Sequence, residues 1–231
     1  MNKEASLNLY AKIEPLIGFY DDYERLYDIY LKIITSLKPQ KILDFGCGNG
    51  RLSQILTAKG FDTLGIDLSS DMIERALLRG VRAKQTDIKE LEGEFDLIIA
   101  AADVLNYFDA LTLDDILRTI CQKLSPKGFL IADINTLHGF RYVAEGLLAK
   151  ESESGFLVVD ANFEDKELTT NFTFFEKSGE MYKKEAQTIT QYFHTLEYFK
   201  KTDYFTLKQT LSVFLFDDKN ADKTLMLLQK K

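Results

Sequence analysis

Chemistry-bearing residue types concentrate in Ile42-Leu43-Asp44-Phe45-Gly46-Cys47-Gly48-Asn49-Gly50-Arg51. An apolar run reaches an aspartate, then three glycines alternate with other residues. Glycine lacks a Cβ, so the backbone can turn sharply there and a ligand can approach closely. A helix beginning at Arg51 adds free backbone N–H groups. A dinucleotide loop has the spacing Gly-x-Gly-x-x-Gly; here the third glycine comes one residue early. Asp44 repels a pyrophosphate and attracts a cation, or it caps the following turn. Cys47 reads as a small residue within the loop.

Two further acids follow apolar runs. Asp67, in Gly65-Ile66-Asp67-Leu68-Ser69, lies 23 residues after Asp44. A carboxylate at a strand end accepts hydrogen bonds from both hydroxyls of a ribose. Its other use is as a helix cap, a position that Ser69 already fills. Asp87, in Gln85-Thr86-Asp87-Ile88, suits an adenine amino group with Ile88 against the ring, or is a solvated turn acid.

The acceptor side of any reaction is less defined. In Ala101-Ala102-Asp103-Val104-Leu105-Asn106-Tyr107-Phe108, Asp103 and Asn106 are positioned to orient an acceptor and Tyr107 to wall it in. The same residues suit the capping and packing of a helix start. His138 follows Asp133 and Asn135, and imidazole has the intrinsic pKa of a base near neutral pH. A satisfied structural histidine is the plainer account. His194 sits beside Thr195 at a helix start and reads as capping or packing. Phe163, Phe172, Phe174, Phe175, Tyr182 and Tyr192 line an apolar pocket or bury one face of a sheet.

These residues need positioning elements. Asp21 to Leu37 has apolar residues at helical spacing and stops before Pro39. Strands are expected over 41–45, 61–66, 81–86, 95–101 and 129–134, with helices at 51–59, 71–79 and from Thr112 to Leu124. Thr112 and Asp115 have capping-box spacing. Phe95 to Ala101 is almost unbroken in apolar character, which suits burial on both faces. Alternating strands and helices predict a parallel, doubly wound sheet, with ligands beyond the carboxyl ends of its strands. After Leu137 a helix is expected over 140–148, then antiparallel strands over 156–160, 169–176 and 181–191. A short helix and two closing strands follow. The expected division is a core with an N-terminal helical cap (1–138), a β-rich insertion (139–194) and a C-terminal completion of the core sheet (195–231).

Composition narrows the function classes. The chain has 231 residues, 36 acidic against 29 basic, and a formal net charge of −7. Nucleic-acid binders usually show the opposite balance. No apolar run approaches the ~20 residues that span a bilayer, and the first ten residues lack the apolar core of a secretory signal. Two cysteines give no disulfide framework. A cytoplasmic location is expected, with no metal, no nucleic acid and no membrane partner.

Together, the glycine loop and three strand-end aspartates resemble the class I S-adenosylmethionine-dependent methyltransferases. Phe95-Asp96-Leu97-Ile98-Ile99-Ala100 is similar to that family's fourth-strand motif. Leu124-Ser125-Pro126-Lys127-Gly128-Phe129 is similar to the turn into its fifth strand. The resemblance is good from Leu37 to Asn135. It implies a Rossmann-like α/β fold with a seven-stranded sheet, mostly parallel with the last strand antiparallel, and a small antiparallel β insertion after the fifth strand. It implies S-adenosyl-L-methionine as cofactor, held by Asp44, Gly46, Cys47, Gly48 and Gly50, by Asp67 and Leu68 at the ribose, by Asp87 and Ile88 at the adenine, and by Ala101. Tyr20, with Tyr10 and Tyr23, would close over it. His138, Asp103 and Asn106 are the candidates for catalysis. The implied reaction is methyl transfer to oxygen or nitrogen of a small molecule, driven by alignment more than by a base. The Asn/Asp-Pro-Pro-Tyr/Phe pattern of amino-directed DNA and protein methyltransferases is absent. Two other classes stand beside it: a nicotinamide-dinucleotide oxidoreductase, disfavoured by glycine spacing and Asp44, and a non-catalytic cofactor sensor, favoured by the lack of a clear base.

Overall fold

The computed structural model describes residues 3–18 and 20–231, apart from the side chains of Lys3, Tyr20 and Asp21. Two helices come first, α1 (Lys3–Ile17) and α2 (Tyr20–Leu37). Then β1 (Lys41–Phe45), β2 (Asp62–Asp67), β3 (Ala83–Gln85), β4 (Phe95–Ala100) and β5 (Leu124–Asn135) pair in parallel. They alternate with α3 (Arg51–Ala58), α4 (Ser70–Leu78) and α5 (Ala110–Lys123). Next comes an antiparallel sheet of β6 (Gly146–Ser152), β7 (Gly155–Glu164), β8 (Glu167–Ser178) and β9 (Met181–Tyr192). The short α6 (Leu196–Lys201) leads to β10 (Phe205–Val213) and β11 (Lys223–Lys230).

The main sheet has the order β10-β11-β5-β4-β1-β2-β3. Its last strand in the chain, β11, runs antiparallel to both neighbours. Strand order reverses between β1 and β4, and the crevice outside that point is where open α/β sheets bind ligands.

Side chains alternate across each strand. Leu43, Ile98 and Leu130 face α5 and meet Leu113, Leu117 and Ile120. Ile42, Leu97, Ile99 and Ile131 face the other way and meet Leu26, Tyr30 and Ile34 of α2 and Leu52 and Leu56 of α3. Both faces are covered, which explains the unbroken apolar run in β4. Each such buried side chain contributes about 1.5–3 kcal/mol. At the opposite end of the sheet from the crevice, Asp96 accepts from the backbone N–H groups of Gln40 and Lys41 and from the Ser125 hydroxyl.

Ser69 caps α4 as expected, its hydroxyl accepting from Met72 N at 3.2 Å. Three local expectations change. The fifth helix starts earlier than a Thr112–Asp115 box implies: Asp109 is its cap and accepts from Thr112 N. The helix expected over 140–148 is a π-helical turn, Gly139–Ala144, followed by β6. Gly146, at φ 141°, breaks the helical path, and the residues after it gain a full ladder with β7. The third strand is short, and α1 adds a helix that the sequence reading had not defined.

Helix α1 packs on the inserted sheet. Leu9 and Ile13 form an apolar cluster with Leu157, Phe172, Phe174 and Ile189. Lys12 pairs with Glu176 and Glu185 at 2.8 and 2.9 Å. The same helix reaches the main sheet's loops. Asn8 donates to Ser70 and accepts from Ser69, and Glu14 accepts from Asn49. No helix among the described residues is long and apolar enough to cross a membrane.

Candidate active site

A cavity of about 750 Å³ lies beyond the carboxyl ends of the parallel strands. That size is within the usual range of ligand pockets, about 300–1,000 Å³. Its floor is the glycine loop and the ends of β1, β2 and β4. Helix α1, the start of α2 and the inner face of the inserted sheet complete the wall.

The glycine loop is pinned to the neighbouring strand. Gly46 N and Cys47 N both donate to Ile66 O, at 2.9 and 3.0 Å. Gly46 has φ 72°, and a Cβ there would lie 2.6 Å from Val104 Cγ2, so only glycine fits. At Gly48 a Cβ would meet nothing closer than Met72 Sδ at 3.9 Å, which leaves room beside the backbone for a ligand. Gly50 differs from the ligand-facing role expected of it. It does not line the cavity, and a Cβ there would lie 2.9 Å from that of Ala76, so it serves the close packing of α3 on α4.

Of the strand-end acids, Asp44 is buried and accepts from the Ser53 hydroxyl at 2.6 Å. Desolvation pushes its carboxyl up from 3.8 to about 6, against the pull of that hydroxyl. Asp67 accepts from Gly48 N and Ser69 N, each at 2.9 Å. Burial raises its pKa, and these N–H groups oppose the rise. Asp87 lines the cavity and accepts from Lys89 N at 2.8 Å. Cys47, Leu68 and Ala101 also line it. Ile88 does not: it is fully buried in the core beside Leu91 and Phe95. Leu68 and Met72 supply apolar cavity surface near Asp67 instead. The side chain of Tyr20 lies outside the described part of the structure.

After β4 the chain takes two successive left-handed steps, Ala102 (φ 59°) and Asp103 (φ 57°). Non-glycine residues enter this region at a cost of order 1–3 kcal/mol each and stay there only when held. Asp133 holds them. Its carboxylate accepts from Ala102 N at 2.7 Å, Asp103 N at 2.9 Å and the Tyr30 hydroxyl at 2.6 Å. Lys223, buried at the start of β11, places its ammonium 3.2 Å from Asp133, 2.6 Å from Asp103 and 2.8 Å from Asn135 Oδ1. Burial pulls the Lys223 pKa down, but Asp103 and Asp133 outweigh it and the net shift is upward. Asp103 lines the cavity, and its second oxygen accepts from Gln191 of β9 at 2.6 Å.

The other two catalytic candidates are not brought to the cavity. Asn106 is fully buried with both ends of its amide used: it donates to Tyr192 O at 2.7 Å and accepts from Asn135 N at 3.0 Å. It ties β9 and β5 to the loop after β4. His138 does not line the cavity; its Nε2 lies 2.8 Å from Asp217. His194 bonds to Phe108 O, and burial lowers its pKa.

Tyr10, Tyr23, Tyr27 and Tyr107 border the cavity instead. Burial keeps the phenols of Tyr23, Tyr27 and Tyr107 protonated, raising each pKa. Sequence reasoning missed Lys223, Glu14 and Gln191. A lysine opening the apolar run of β11 was a visible signal, but nothing in its spacing points to Asp103, 120 residues away.

Comparison with known proteins identifies the family. The family described as "Methyltransferase domain" matches residues 20–194. The chain belongs to this methyltransferase family. A putative methyltransferase of Bacillus subtilis (strain 168), YqeM, is 30% identical over 195 residues, 75% of this chain and 78% of that protein. The crystal structure of an S-adenosylmethionine-dependent methyltransferase from Clostridium acetobutylicum ATCC 824 superposes with a TM-score of 0.76 at 22% identity, covering 96% of each chain. CalS10, an amino pentose methyltransferase from Micromonospora echinaspora solved with S-adenosylmethionine bound, gives 0.69 at 16% identity, covering 96% of this chain and 97% of that one. The main sheet has the class I methyltransferase topology.

Two outcomes follow for the ligand-free methyltransferase. Folding favours protonated Asp44, since its folded pKa exceeds the unfolded value. That stabilisation is complete below 3.8 and is lost as pH rises through about 6. Asp44→Asn keeps an acceptor for Ser53 and should gain stability over wild type between about pH 4 and about pH 7.5, by up to about 3 kcal/mol. Urea unfolding at both pH values measures this, and a pH-independent difference rejects it. Lys223→Met leaves the fully buried Asp133 and the half-buried Asp103 without their cation and should destabilise by about 3–5 kcal/mol. A loss below about 1 kcal/mol in urea titration would show that the pair is not held as described.

Proposed function

We propose that this chain transfers the methyl group of S-adenosyl-L-methionine to oxygen or nitrogen of a small-molecule acceptor. The observation that carries the reading is Asp67, bonded to the Gly48 backbone N–H at the edge of open cavity space, in a chain of the methyltransferase family. The residues present suit this cofactor: backbone without side-chain bulk, a carboxylate with spare lone pairs, and acidic walls facing a cation.

In this reading Asp67 keeps acceptor sites for both ribose hydroxyls, because an ionised carboxylate has about four lone-pair positions. Asp87 accepts from the adenine amino group, and Leu68 and Met72 pack against the ring. Asp44 and the loop backbone fix the amino-acid end, Asp44 acting through water or neighbouring N–H groups. When bound, the cofactor supplies an electrophilic methyl on a positively charged sulfur, so the protein's task is alignment and exclusion of water. Helix α1 and the inserted sheet exclude water from above, and the loop at Ala102–Asp103 faces the acceptor. Residues 1–138 thus carry the cofactor, 139–194 cover the acceptor and 195–231 complete the core sheet.

Turnover of methyl-labelled cofactor against a metabolite panel tests the activity, and failure to bind S-adenosylhomocysteine would remove its basis. Asp67→Ala should weaken cofactor binding by about 1–3 kcal/mol, two net hydrogen bonds, or about 5- to 150-fold by calorimetry. Unchanged affinity would reject the ribose assignment. His138→Ala should leave kcat and KM unchanged, because the ring bonds Asp217 away from the cavity; a selective loss of kcat would restore it as a base.

A further inference from the structure

We propose that the acceptor is a basic amine, methylated at nitrogen, and that the acidic, tyrosine-lined cavity selects against anionic acceptors and against oxygen. The inference rests on the methyl-transfer reading and narrows it to one substrate class.

The charge of the wall is lopsided. The residues lining the cavity include eight carboxylates, among them Asp44, Asp67, Asp103 and Asp222, against the two cations Arg51 and Lys223. Lys223 is already shared between Asp103 and the fully buried Asp133, so this group of three keeps one net negative charge. Asp222 is buried as well, and its carboxylate accepts from the backbone N–H groups of Leu215 and Phe216. A single bound sulfonium compound does not neutralise such a wall. A second, anionic ligand entering it would meet like charges at low dielectric, where repulsion is strong. A cation would be drawn in.

The aromatic residues point the same way. Tyr10, Tyr23 and Tyr107 border the cavity together with Asp103. Burial, then the charge field of Tyr10 and Asp103, raises the Tyr23 and Tyr107 phenols, so they remain neutral rings. Rings beside a carboxylate attract cations through the face of the π-system as well as by charge.

The chemistry separates nitrogen from oxygen. A neutral amine attacks directly: its lone pair forms the N–CH3 bond, the C–S bond breaks, and its electrons return to sulfur. The positive charge passes from sulfur to nitrogen, and the same carboxylates stabilise it on both sides of the transfer. The proton of the solution ammonium leaves to solvent before the attack. An alcohol or phenol must instead lose its proton to become a strong nucleophile, creating an anion inside acidic walls. No histidine is among the described residues lining the cavity to take that proton.

The test uses the full chain saturated with S-adenosylhomocysteine and titrated with benzylammonium, benzyl alcohol and benzoate, followed by calorimetry. Benzylammonium should bind at least about tenfold tighter than benzoate, one charged hydrogen bond or ion contact, and the preference should shrink in high salt. Asp103→Asn should reduce the preference; should that variant not fold, the wild-type comparison decides alone. Benzoate binding equally or more tightly, or no discrimination by charge, overturns the proposal. A second arm supplies methyl-labelled cofactor and a small-molecule bacterial extract. Labelled product retained on cation exchange and resistant to base supports an amine. Labelled product that is an uncharged ether or a base-labile ester overturns this inference while leaving methyl transfer intact. Absence of homocysteine-cofactor binding, by contrast, removes the underlying reading.

Discussion

One buried carboxylate organises the reaction side of this protein. Asp133 collects the N–H groups of Ala102 and Asp103, the Tyr30 hydroxyl and the Lys223 ammonium. An unpaired carboxylate at that depth would be expensive. Here the four partners come from three elements: α2, the loop after β4, and β11. The two left-handed residues after β4 exist because Asp133 is there to receive their N–H groups. Asp103 then faces the cavity because its backbone has nowhere else to go. Burial of an ion pair is weak evidence for stability in itself; its effect here is to fix one loop conformation out of many.

Much of this arrangement was legible in the chain. The spacing of Asp44, Gly46, Gly48 and Gly50, followed by Asp67 and Asp87, carried the sheet, the family resemblance and the cofactor side. Those residues follow one another within local strand–turn–helix units, where sequence distance and spatial distance are nearly the same. The acceptor side was not legible, for the opposite reason. Lys223 meets Asp103 across 120 positions, and Gln191 meets it across 88. No local period links them. Asn106 and His138 looked catalytic because their residue types and their places after strands suited catalysis. Local pattern does not reveal that Asn106 spends both ends of its amide on backbone, or that His138 turns to Asp217. Gly50 is the subtler case. It obeys the loop's spacing, yet the neighbour that demands glycine is Ala76 of the next helix.

Helix α1 has few large side chains committed to the main sheet. Its apolar face meets the inserted sheet, while single polar contacts from Asn8 and Glu14 reach the loops after β2 and β1. A segment that spans two sheets in this way couples their relative position. It also supplies the cavity wall on the α1 side, through Ser6, Leu7, Tyr10 and Glu14.

The inserted sheet closes its own apolar cluster, with Leu157, Phe172, Phe174 and Ile189 against Leu9 and Ile13. None of these six belongs to the two large clusters that flank the main sheet. Floor and ceiling are therefore separate pieces of construction. Exchange of inner-row residues on the ceiling would reshape the room above the cofactor without unsettling the foundations, so one scaffold can be refurnished for different guests.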